Sequence, residues 1–136
     1  MKNLFLDTNI IIDVIDFRLP YYTESARILD YGAKNKVKLF VSALSYTNIY
    51  YIIRKNTPHH RCIEILKDLT LLINTADVNK EIISQALNSD FKDFEDAVQY
   101  YTALSLEGMD AFITRNPKDF KLSKIPILFP KEVAIK

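Results

Sequence analysis

The stretch Leu4-Phe5-Leu6-Asp7-Thr8-Asn9-Ile10-Ile11-Ile12 decides the fold. Three consecutive apolar residues followed by a polar break predict a short buried strand. Asp7-Thr8-Asn9 then offers side-chain oxygens for a helix cap, with Thr8 or Asn9 best placed to supply one. The run Ile10, Ile11, Ile12, Val14 and Ile15 then begins a helix. An apolar strand that turns straight into a helix opens a βαβ unit.

The same alternation continues outward. Tyr22 to Ala33 has helical spacing, with Tyr22, Ala26, Leu29 and Ala33 on the buried side and Glu24, Arg27 and Asp30 toward solvent. Lys38 to Val41 reads as a strand, Ser42 as the cap of a helix through Ile53, and Pro58 as the first residue of another helix. Leu71-Leu72-Ile73 is the expected third strand, and Val78 to Leu87 is helical. Asp93 to Glu107 forms a helix closed by Gly108, with Phe94, Ala97, Val98, Tyr101 and Leu104 on its core face. Ala111-Phe112-Ile113 and Pro126-Ile127-Leu128 are the last strands. Strands separated by helices imply right-handed crossovers, hence a mostly parallel sheet of four to five strands with helices on both faces, an α/β/α sandwich. No linker or repeat interrupts the 136 residues, so residues 1–136 are expected to form one domain.

Composition narrows the function. Hydrophobic residues are 49% and charged residues 26% of the chain, which fits a folded globular domain and excludes disorder. Two glycines leave no Gly-rich phosphate loop, and one cysteine, Cys62, excludes an internal disulfide and a Cys-based zinc site. No signal peptide or long apolar run is present, so the expected compartment is the cytoplasm, away from any membrane. The net charge of +1 hides an uneven distribution. Residues 1–68 carry ten basic and seven acidic groups; residues 69–136 carry eight and ten.

In parallel sheets, chemistry collects just outside the carboxyl ends of the strands. That rule nominates Asp7, Ser42, the segment Asn74 to Asp77, and Thr114-Arg115-Asn116. Asp7 is either a helix cap or a site carboxylate. Asp93 and Asp96 share a helix face at i, i+3, which suits a capping box equally well. With Asp90 and Glu95 they make four acids within seven residues, relieved only by Lys92. The helix dipole favours each first-turn acid by roughly 0.3–1 kcal/mol. Carboxylates crowded to about 4 Å repel by about 4 kcal/mol at an effective dielectric near 20. Repulsion therefore wins if Asp7 joins them, unless a divalent cation is bound. Asn48, mid-helix among Leu44, Ile49 and Ile52, is either a satisfied core amide or a cleft residue. Basic clusters at 34–38, 54–61 and 115–124 are solvated faces or a phosphate-binding rim. His59 and His60 read as structural and Cys62 as core.

Read together, Leu4-Phe5-Leu6-Asp7-Thr8-Asn9, Asp93-Phe94-Glu95-Asp96-Ala97 and Ile113-Thr114-Arg115-Asn116-Pro117-Lys118-Asp119-Phe120 resemble the PIN-domain family, VapC-like toxins of toxin–antitoxin pairs in particular. The likeness runs from residue 4 to about 130. It implies a Mg²⁺- or Mn²⁺-dependent endoribonuclease that cuts single-stranded regions of structured RNA and is silenced by an antitoxin, with a homodimer expected. By position, Asp7 matches the family's first acid and Asp96 its third, and both are the implied metal ligands. Asn116 takes the fourth place, where Asp is usual and Asn also occurs, and Asn48 falls where a second acid, commonly Glu, is expected. Asp93 joins the implied catalytic set, with Thr8, Thr114 and Asp119 in support and Arg115 and Lys118 on RNA phosphate. Two Asn in place of acids motivate a rival reading, a catalytically weak or inactive module that binds RNA or protein. A phosphohydrolase using Asp7 as nucleophile is a third, disfavoured because Asn9 stands where a second Asp is needed.

Overall fold

The computed structural model describes residues 1–121 and 123–135. Five strands form a single sheet: β1 (Lys2–Leu6), β2 (Val37–Ser42), β3 (Asn74–Ala76), β4 (Ala111–Ile113) and β5 (Ile127–Leu128). Their order is β3-β2-β1-β4-β5, and every pairing is parallel. The helices are α1 (Thr8–Ile15), α2 (Tyr22–Ala33), α3 (Ser45–Ile53), α4 (His59–Leu72), α5 (Lys80–Leu87) and α6 (Phe94–Leu104). Two 3₁₀ turns, Pro117–Phe120 and Pro130–Glu132, complete the described elements.

Alternation along the central strands makes two cores. Leu4 and Leu6 of β1, Leu39 and Val41 of β2 and Ile113 of β4 pack with Ile10, Ile11, Ile12, Ile28, Ile49 and Cys62 from α1 to α4. Phe5, Phe112 and Phe40 point the other way and meet Tyr100, Ala103 and Phe120. A third cluster, Ile82, Ala86, Ala97 and Val98, joins α5 to α6. The result is a three-layer α/β/α sandwich, as the strand–helix alternation implied.

Several local expectations are corrected. Helix α1 starts at Thr8, and its cap is Asp7, whose carboxylate accepts from Asn9 N at 3.2 Å. The bounds of α2 are as expected, but its buried positions are Ser25, Ile28 and Leu29, while Ala33 is exposed. Arg27 turns inward to donate to the Val133 and Pro130 carbonyls, so the C-terminal segment occupies that side. Ser42 ends β2; its hydroxyl accepts from Leu44 N, and α3 begins at Ser45. Pro58 caps α4 instead of opening it.

Leu71-Leu72-Ile73 is not a strand. The apolar spacing Cys62, Ile65, Leu66, Leu69, Leu72 carries α4 onward and leaves Leu71 88% exposed on the far side. The strand is the next segment, Asn74–Ala76. Helix α5 starts at Lys80, capped by Asn79 on Ile82 N. Helix α6 ends at Leu104, and Gly108 lies beyond it at φ 72° in the turn before β4. No helix of the described residues is long and apolar enough to cross a membrane.

Candidate active site

The sheet order has the chain wind from β1 through β2 to β3 on one side, then return to lay β4 and β5 on the other side of β1. Crevices of such sheets open at that reversal, outside the strand ends. Asp7 follows β1 and Thr114 follows β4, and both are buried there. The Thr114 hydroxyl donates to Asp7 Oδ2 at 2.8 Å, and Asp7 N donates to the Ile113 carbonyl at 2.9 Å. Gln99 of α6 sends its amide toward Asp7 Oδ1 at 3.4 Å. Its carbonyl oxygen accepts from Thr8 N at 2.9 Å and from the Thr8 hydroxyl at 3.1 Å. Thr8 Oγ1 also shares a hydrogen bond with Ser45 Oγ at 2.7 Å, tying α1 to α3. Thr8 is thus engaged in holding three helices together.

The start of α6 brings up the other acids. Asp93 is its cap, accepting from Asp96 N at 2.9 Å, and is exposed. Asp96 is half-buried one turn further on. A cleft of about 290 Å³ runs between α3 and α6, lined in part by Asn48, Glu95 and Gln99. Asn48 is therefore a cleft residue, lining the same pocket as Glu95, whose carboxyl it helps hold down against burial. Gln99 and Glu95 were not singled out from the sequence as site residues. The signal for Gln99 existed: Asp93, Asp96 and Gln99 fall at i, i+3, i+6, a polar stripe. The expected core face hid it, because Phe94 is 51% exposed and the buried set includes Gln99, Tyr100, Thr102 and Ala103.

The loop after β4 carries the remaining candidates. Thr114 Oγ1 accepts from Asn116 N at 3.1 Å; Asn116 is exposed and precedes the 3₁₀ turn. Lys118 and Asp119 lie exposed on that turn. Arg115, expected on phosphate, points inward. Its Nε stands 3.3 Å from Asp13 Oδ2, and its guanidinium covers the Tyr21 ring at 4.3 Å.

Residues 3–118 match the PIN domain family. The chain belongs to that family. It is 28% identical over 135 residues to Ribonuclease VapC1 of Aquifex aeolicus, covering 96% of this chain and 92% of that protein. Its fold is similar to a chain of DNA-bound VapBC from Salmonella typhimurium, at TM-score 0.71, 15% identity and coverage of 96% and 99%. VapBC-1 from nontypeable Haemophilus influenzae is similar at TM-score 0.69 and 20% identity, with coverage of 96% and 99%.

In this PIN domain the electrostatics centre on Asp96. Burial, then the charges of Asp7, Asp93, Asp119 and Glu95, push its carboxyl up to about 7. Burial also raises Asp7, against the hydrogen bonds from Thr114, Asn9 and Gln99 and the charge of Arg115. Glu95 is raised by burial and by Asp7 and Asp93, with Asn48 opposing. Among the described residues, none of Asp7, Asp93, Glu95, Asp96 or Asp119 forms an ion pair. Nor do three His, Cys, Asp or Glu side chains close into a ready-made cation cage. The donor set nonetheless fits a hard divalent cation: carboxylate oxygens that raise one another's pKa and that no ion pair neutralises. Mg²⁺ keeps several waters and binds through one or two carboxylates, so Asp7 and Asp96 are the residues that could hold it.

Proposed function

We propose that this PIN domain is a Mg²⁺- or Mn²⁺-dependent endoribonuclease, the toxin of a toxin–antitoxin pair. One observation carries the reading. Asp7, buried at the end of β1, and Asp96, half-buried in the first turn of α6, both stand at the sheet's reversal point, where burial first and the Asp7 charge second push the Asp96 carboxyl up to about 7. Full-length similarity to a protein named Ribonuclease VapC1 supports the substrate class. Similarity to VapBC chains supports a protein antitoxin as partner.

Asp7 and Asp96 are the residues that would hold the cation. When bound, it supplies charge that neutralises the acids, polarises the scissile phosphate and makes water a better nucleophile. The chain's own residues orient the centre. Thr114, Gln99 and the Asn9 amide fix the Asp7 carboxylate, and Asp93 fixes the first turn of α6 on which Asp96 stands. Asn116 and Lys118 flank the site from the β4 loop, Lys118 with its charge free for phosphate. The proposed active form is a homodimer acting in the cytoplasm; light scattering of the purified chain tests the dimer.

The experiment is cleavage of a structured RNA with and without metal. Asp7→Asn and Asp96→Asn are expected to lower the rate by at least ~10²-fold in Mn²⁺ while circular dichroism is unchanged. Chelation by EDTA is expected to abolish wild-type cleavage, and added Mn²⁺ to restore it. A doubly substituted protein that cuts at the wild-type rate overturns the assignment.

A further inference from the structure

Asp13 lies near the opposite end of α1 from Asp7, and its side chain is 0% exposed. Neither of its carboxylate oxygens has a hydrogen-bond partner among the described residues. Two cations answer it: Arg115 Nε at 3.3 Å from Oδ2, and Arg18 Nη1 at 3.9 Å from Oδ1. A buried carboxylate is unfavourable unless a counter-charge is held close. Arg115 is largely buried too, 20% exposed and stacked over Tyr21. Arg115 also sits between Thr114, whose hydroxyl binds Asp7, and Asn116, whose N–H binds that same hydroxyl. Asp7 at the cap of α1 and Asp13 within it therefore face adjacent residues of one loop.

We propose that Asp13 and Arg115 are positioning residues. Their ion pair and the Tyr21 stack clamp the β4 loop onto α1, keeping the Thr114 hydroxyl on Asp7 and Asn116 at the rim. Arg115 spends its charge inside the protein and does not bind the RNA backbone, which leaves that task to Lys118 and its neighbours. The kinetic consequence rests on the nuclease reading; the clamp itself does not.

The test compares Asp13→Asn, Arg115→Ala, Arg115→Lys and the Asp13→Asn/Arg115→Ala double variant with wild type, each at a temperature where it is folded. In hydrogen exchange, the single variants should speed exchange of residues 114–120 by about tenfold or more. Exchange in β1 and β2 should stay as it is, a local and not a global opening. In Mn²⁺-supported cleavage, kcat should fall by about 10–100-fold, as misplacement by a fraction of an ångström to one ångström does, with KM and its salt dependence within about threefold. The double variant should be no worse than the poorer single one, because both remove the same clamp. Arg115→Lys keeps the charge but loses the stack, so it should recover part of kcat. Exchange that accelerates everywhere, or wild-type kcat in Asp13→Asn, overturns the proposal. So does a raised KM with flattened salt dependence in Arg115→Ala, which would put Arg115 on RNA phosphate. If the wild type cleaves no RNA at all, the nuclease reading fails and the exchange pattern alone decides the clamp.

Discussion

At Asp96, burial and four neighbouring carboxylates raise the pKa to about 7, whereas an unfolded Asp titrates near 3.9. Between those values the folded chain holds more protons than the unfolded one, so stability falls as pH rises. The penalty is complete above the folded pKa and vanishes below the unfolded one. Metal-free protein is therefore expected to melt higher at pH 5 than at pH 8, and Asp96→Asn to flatten part of that slope. Thermal melts across pH in chelating buffer check it; a slope unchanged by the substitution would contradict the assigned cause. Cation binding needs the ionised acid and so strengthens over the same range. At this scale Asp7 and Asp96 were legible because a strand-end Asp and an acid-rich helix start are local patterns. Gln99 was not. A buried glutamine is indistinguishable from a solvated one until α1 is packed against α6 and Thr8 N needs its acceptor.

Among the elements, α6 shows how one side chain serves two levels. Asp93 caps the helix through the Asp96 amide, so its removal frays the turn that presents Asp96. Asp93→Ala is expected to cost about 0.5–2 kcal/mol in urea unfolding, the usual worth of such a cap. Asp93→Ser keeps an acceptor at the same position and should restore stability. If cleavage returns with it, Asp93 acts through the cap; if only stability returns, its charge acts directly on the centre. Element boundaries were less legible than element identity. The third strand was displaced because Leu71-Leu72-Ile73 has the apolar density of a strand, yet the period of α4 runs through Leu72, which packs against the core, and only Ile73 leaves the helix. Short apolar runs do not say which period they belong to.

Across the whole molecule, the C-terminal segment closes the layer formed by α1 to α4. Val133 is buried in the main core, and Arg27 holds the passing backbone through the Val133 carbonyl at 2.6 Å and the Pro130 carbonyl at 3.1 Å. Hydrogen bonds to a charged donor contribute about 1.5–3 kcal/mol each, less where water reaches them. Arg27→Met retains the aliphatic stem and is expected to lower the melting temperature by several degrees, on the order of 4–8 °C per kcal/mol lost in domains somewhat smaller than this. Faster hydrogen exchange confined to residues 129–135 would mark the released segment. From sequence Arg27 read as a solvent-facing residue, because its partners are backbone carbonyls more than a hundred residues away.

The division between the two kinds of information follows from range. By itself the sequence determined the alternation of strands and helices, the parallel sheet it enforces, and the places where chemistry collects. Those depend on side-chain periodicity and chain handedness, which are local. Only the tertiary structure decided what each polar side chain faces. It turned Arg115 from the rim onto Asp13, set Asn48 against Glu95, and engaged Gln99 with Thr8 and Asp7. A charged or amide group goes where burial leaves it a partner, and that partner is chosen by packing between distant elements.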